Sequence, residues 1–187
     1  MALKSTIFKA QLQLADMDRH VYGDHALTLA RHPSETDERM MMRVLAYALQ
    51  LPADDHRGAL EFAKGLSDPD EPDLWQKDLT GALVQWIEVG QPDERRLLKA
   101  AGRAERVSVF AYSSSALLWW QPLANRLTRA ENLAVWQLPA DQSQALALLA
   151  ERSMRLQVNI QDGTVSMDNG SRGVELTLQP LMKPRER

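Results

Sequence analysis

From residue 3 to residue 31 polar and apolar positions alternate, the period of two that a strand with one buried face requires. Residues 3–15 (Leu3, Ser5, Ile7, Lys9, then Gln11, Leu12, Gln13, Leu14) and 20–31 (Tyr22, Leu27, Leu29) read as two strands joined at Asp16-Met17-Asp18-Arg19. This predicts an N-terminal hairpin in an antiparallel sheet with one wet face. The period then lengthens to that of a helix. Ser34 is the predicted N-cap, Asp37 stands in the capping-box position, and Met41, Val44, Leu45 and Ala48 form one apolar face before Pro52. Glu38 shares the stripe of Met41 and Leu45, with Glu35 one turn earlier on the same side.

Short runs follow. Residues 59–66 read as a strand, 67–73 (Ser-Asp-Pro-Asp-Glu-Pro-Asp) as an acidic loop broken by prolines, and 74–78 as a short strand or turn. The run 82–89 is apolar except for Gln85 and Glu88, and it stops at Gly90-Gln91-Pro92. Pro92 suits the first helical position and Asp93 and Glu94 its positive end. Leu97, Leu98, Ala101 and Ala104 are the predicted core positions of that helix. A strand over 106–112, a helix capped within Ser113-Ser114-Ser115, a strand over 132–138 and a helix from 140 to 149 come next. The last third returns to alternation: 153–161 and 164–167 around an Asp162-Gly163 hairpin turn, then 173–179. The tail 183–187 is predicted to fray.

This order predicts an α/β protein with a mixed sheet and flanking helices, because strand–helix–strand units such as 82–112 and 106–138 imply parallel crossovers. The 187 residues suffice for one domain, residues 1–187, with a core over about 34–138 and flanking strands at 1–31 and 153–180. Composition narrows function only by exclusion. There is no cysteine, so disulfides and thiolate chemistry are ruled out and a cytoplasmic location is expected. No run approaches the ~18 apolar residues of a membrane span, so no membrane partner is expected. The formal charge of −3 argues against a non-specific nucleic-acid coat but leaves room for a local basic groove. The four histidines have no zinc spacing, and no phosphate loop or nucleophile elbow is present.

Glu88 is the candidate for chemistry, since an acid at the end of a buried strand is costly without a partner. Asp70, Glu71 and Asp73 in the acidic loop and Lys99 on the next helix are the other charged groups that this order of elements singles out. Plainer explanations stand beside each. Lys99 lies among Arg95, Arg96 and Arg103 and reads equally as a solvated basic face. Glu88 reads equally as a structural ion pair with Lys99 or an arginine, the loop acids as solvation, and Glu35 and Glu38 as helix-dipole partners. Trp119-Trp120 reads as core packing ahead of a base-stacking platform. The serines read as phosphate donors or as helix caps.

Several stretches carry a resemblance. They include Leu27 to Thr36, Glu38-Arg39-Met40-Met41, Asp70-Glu71-Pro72, Trp86 to Gly90, Pro92 to Arg96, Lys99-Ala100, Trp119-Trp120-Gln121 and Gln161-Asp162-Gly163. On these the chain resembles the YaeQ family of bacterial proteins over nearly its whole length. Its central order also looks like the PD-(D/E)XK, or restriction-endonuclease-like, core. That second resemblance implies a metal-dependent phosphodiester hydrolase acting on nucleic acid. Glu88 would bind Mg²⁺ together with Asp70, Glu71 or Asp73, Glu38 would tune it and Lys99 would serve the attacking water. Pro72-Asp73 matches the Pro-Asp element. Glu88-Val89-Gly90 departs from (D/E)-x-K by placing glycine at the lysine position. The alternative it implies is a non-catalytic descendant that binds nucleic acid or a protein, as an accessory of transcription.

Overall fold

The computed structural model describes residues 4–185, so the expectation placed on residue 3 lies outside the described residues. Among those described, eleven strands form two mixed sheets accompanied by four α-helices, and the chain divides into two compact units. The first comprises residues 1–53 and 141–177, the second 54–140 and 178–187.

In the first unit β1 (Thr6–Asp16) and β2 (Val21–Arg31) form the expected hairpin. β8 (Ser153–Gln161) and β9 (Thr164–Asp168) form another, turning at Asp162 and Gly163 with positive φ of 52° and 75°. Asp18 secures that turn by accepting from both their amides. β10 (Gly173–Leu176) extends it. These terminal strands are one sheet, in the order β10-β9-β8-β1-β2, because β1 pairs in parallel with β8. Leu12 and Leu14 of β1 and Leu27 and Leu29 of β2 are buried as the alternation predicts. Ile7 and Tyr22, counted with the apolar positions, lie on the opposite, exposed face, and alternation did not set this pairing across most of the chain.

Helix α1 (Asp37–Gln50) lies against this sheet, where Arg43 donates to the Ala30 carbonyl and the rings of His25 and Tyr47 meet edge to face. Its cap is Thr36, whose Oγ1 accepts from the Arg39 amide at 3.1 Å, and not Ser34, which bonds His32 instead. The helix is buried all round from Met40 to Ala48. That includes Arg43, held by the buried Glu35.

The second unit is built on a six-stranded sheet, in the order β11 (Gln179–Met182), β7 (Leu133–Gln137), β6 (Ala104–Ala111), β5 (Leu83–Val89), β4 (Leu74–Lys77), β3 (Leu60–Phe62). β3, β4 and β5 are an antiparallel meander. β5, β6 and β7 are parallel, connected by α2 (Glu94–Arg103) and α3 (Ala116–Ala124). The core lies between these helices and one face of the sheet, with Trp86, Leu97, Val107, Trp120, Leu127 and Leu133 in mutual contact. α4 (Ala140–Ala147) follows β7.

Two expectations at the C-terminus change. The predicted strand 173–179 divides, and β11 (Gln179–Met182) pairs with β7 in the second sheet. The predicted fraying does not hold at Arg185, whose amide donates to the Glu131 carbonyl at 2.9 Å, and residues 186 and 187 lie outside the described residues. Among the described residues no helix is long and apolar enough to cross a membrane.

Candidate functional site

Trp86 and Glu88, two apart on β5, project from the face that α2 covers. A helix started by Asp93, whose Oδ1 caps the Arg96 amide at 2.8 Å, sets Arg96 in its first turn. Pro92 therefore precedes the cap. From there the Arg96 side chain reaches the strand, and its Nε donates to Glu88 Oε1 at 2.6 Å. The indole Nε1 of Trp86 donates to the same oxygen at 2.8 Å. Arg96 spends its two remaining nitrogens on the acidic loop, donating to the carbonyls of Pro69 at 2.6 Å and Glu71 at 2.8 Å. One guanidinium thus ties together β5, α2 and the loop before β4.

Glu88 is 4% exposed. Burial, then the nearby Asp73 carboxylate, pushes its pKa above the ordinary carboxylate value, while Arg96 and Trp86 pull against that rise. Asp73 is also buried, and its Oδ2 accepts from the Val89 amide at 2.8 Å. Its own amide donates to the Ile87 carbonyl. Beside it Gly65 has φ +51°, and a Cβ there would stand 2.7 Å from Asp73 Oδ1, so only glycine fits without displacement.

The remaining predicted residues have other partners. Glu71 Oε2 accepts from the Lys64 amide, and Lys99 meets Asp70 at 3.4 Å with both side chains exposed. Glu38 belongs to the first unit, where Ser143 donates to its Oε1 at 2.8 Å. Glu35, the alternative acid on that helix, is paired with Arg39 and Arg43. Among the described residues no three His, Asp or Glu side chains are grouped as a metal site requires. Gly90 has φ +108°, a conformation that side chains rarely adopt. Glycine at this position is therefore a backbone requirement, and lysine there would be strained.

The free space at the site is small. A cleft of about 20 Å³ lies among Pro69, Asp70, Trp86, Arg96, Lys99 and Arg103. Roughly 10–15 Å³ accommodates a single water, so the cleft itself holds little more than one.

Of the two tryptophans, Trp120 belongs to the core, and Trp119 donates from its indole to the Pro92 carbonyl. Ser115 makes no side-chain cap to α3 and instead bonds Gln91 and Ser113. Arg96 was the residue that pattern reading could not single out from its neighbours. Its one signal was an arginine in the first turn of the helix that follows a strand ending in an acid.

The fold and site define a mixed α/β protein in which a buried strand-end carboxylate is closed by an arginine. The sequence matches the YaeQ protein family over residues 1–178. It is 44% identical over 185 residues to the uncharacterized protein YaeQ of Salmonella typhi and 43% identical to that of Escherichia coli (strain K12), covering 98% of this chain and 99% of each relative. The crystal structure of the YaeQ protein from Xanthomonas axonopodis pv. citri superposes with a TM-score of 0.90 at 48% identity, covering 96% of this chain and 99% of that one. That of the YaeQ protein from Pseudomonas syringae gives 0.89 at 40% identity, covering 97% and 98%. The chain belongs to the YaeQ family.

Proposed function

We propose that the protein is a non-catalytic, protein-binding descendant of the restriction-endonuclease-like fold, its acidic site converted into a structural lock. The observation that carries this reading is the pairing of the buried Glu88 with the partly buried Arg96. The nuclease pattern needs Glu88 to share a divalent cation with a loop carboxylate. Here Glu88 Oε1 already accepts two hydrogen bonds, and the guanidinium brings to it the positive charge that a metal would supply. Of the loop acids, Glu71 turns to Lys64, Asp70 to Lys99, and Asp73 holds the Val89 amide. Mg²⁺, which needs near-octahedral oxygen ligation, does not fit these residues as they stand.

Protein is favoured over nucleic acid as the partner by the surface of this unit. Leu98, Leu117 and Leu118 are exposed on α2 and α3, an apolar surface that a protein partner can bury and a phosphate backbone cannot. The formal charge of −3 also disfavours nucleic acid.

The test is phosphodiester cleavage. Wild type and Glu88→Gln would be compared on plasmid DNA and on bis-p-nitrophenyl phosphate with Mg²⁺ or Mn²⁺. Both proteins are expected to show the same background rate. Mn²⁺-dependent turnover that Glu88→Gln and Lys99→Ala abolish would restore the hydrolase reading.

A further inference from the structure

Helix α2 presents two adjacent stripes to solvent. Arg95, Lys99 and Arg103 follow each other at intervals of four and share one stripe. Glu94 and Leu98 share the next, on the side facing α3, since Glu94 pairs with Arg126 just beyond that helix. Trp119 closes the floor between the helices through its bond to the Pro92 carbonyl. On α3, Leu118 and Pro122 form the stripe outward from Trp119. Leu98 is 42% exposed and Leu118 73%. Two helices therefore frame a shallow apolar track, and its α2 bank is cationic.

The charges near the track decide what it suits. Glu94 pairs with Arg126, and among the described residues Lys99 meets only Asp70, at 3.4 Å, a solvent-exposed contact that a partner carboxylate can displace at little cost. Arg103 stacks over the Trp86 ring at 5.2 Å, which fixes the far end of the cationic bank. The ten residues of α2 run about 15 Å. A helical partner of about three turns would match that length, with leucine-like residues on the track and acids along one flank.

We infer that the α2–α3 surface docks an acidic amphipathic helix of a partner protein, its apolar face on Leu98, Trp119, Leu118 and Pro122 and its carboxylates against Arg95 and Lys99. This rests on the protein-binding reading above and names the partner's chemistry.

The test uses the full chain and three labelled helical peptides of about 16 residues, read by fluorescence anisotropy. One carries leucines on one face and glutamates on its flank, the second replaces the glutamates with lysines, and the third replaces the leucines with glutamines. The glutamate peptide is expected to bind saturably, with the lysine peptide about tenfold weaker and the glutamine peptide not binding. Leu118→Ser and the double variant Arg95→Glu/Lys99→Glu should each weaken the glutamate peptide about tenfold, and the charge reversal should favour the lysine peptide. These positions are exposed, so unchanged thermal melting is expected and would be verified.

Absence of saturable binding, or binding indifferent to flank charge, overturns the inference. So does tighter binding to phosphatidylglycerol-containing vesicles or duplex DNA through the same residues. A self-dimer dissolved by Leu118→Ser would assign the track to a second copy of the chain, and also overturns it. Metal-dependent cleavage by Glu88 would sink the non-catalytic reading and leave the peptide result standing. Peptides that fail to bind an inactive protein sink this surface alone.

Discussion

Arg96 Nε stands 2.6 Å from Glu88 Oε1, and the same guanidinium donates to the carbonyls of Pro69 and Glu71. The pair is therefore a three-way junction as well as an ion pair. Its carboxylate is almost sealed from water, with the Glu88 side chain 6% exposed and that of Arg96 27%. Removing one partner leaves the other charge buried without compensation, which costs far more than the intact pair contributes.

Arg96→Ala should accordingly destabilise the protein by about 3–5 kcal/mol, read from urea unfolding at pH 7. Adding Glu88→Gln should recover part of that loss, because the stranded charge disappears. Equal losses in the single and double variants would show that the loop carbonyls matter and the ion pair does not.

The pH dependence of Glu88 has a definite sign. Its folded pKa is raised from the ordinary 4.5, first by burial and then by Asp73, so the folded state holds this proton more tightly than the unfolded chain. The resulting stabilisation is complete below 4.5 and is lost as pH rises through the folded value. Wild type minus Glu88→Gln should thus fall as pH climbs out of the ordinary carboxylate range, then level off. A difference that rises with pH there would mean that Arg96 outweighs burial.

Glu35 and Arg43 make a second buried pair, with side chains 2% and 6% exposed. Glu35→Ala should cost about 3–5 kcal/mol in thermal or urea unfolding, since the Arg43 charge would remain inside. If Glu35 served only the helix dipole, the loss would stay under about 1 kcal/mol.

Gly65→Ala should destabilise by about 1–3 kcal/mol, through its φ of +51° and the approach of a new Cβ to Asp73 Oδ1. Asp73→Asn in the same background should not restore stability, because the amide occupies the same space. Calorimetric melts of the wild type and the two variants would decide this.

Local pattern determined much of this protein. Alternation in β8 and β9 and over Leu12, Leu14, Leu27 and Leu29 marked buried side chains, though it counted the exposed Ile7 and Tyr22 with them, and Asp162-Gly163 fixed a turn, because period and turn chemistry act over a few residues. An acid at the end of an apolar strand announced that Glu88 needed a partner. The parallel pairing of β1 with β8 was not legible, since any strand with a matching apolar face could have taken that place. Nor was the partner of Glu88. Arg95, Arg96, Lys99 and Arg103 are alike as charges, and only the helix start at Asp93 and the path of the loop bring the Arg96 guanidinium to that carboxylate. Local pattern alone thus required that a buried charge be answered. Tertiary structure decided that an arginine answers it, because direction and distance between elements are set by packing across the chain.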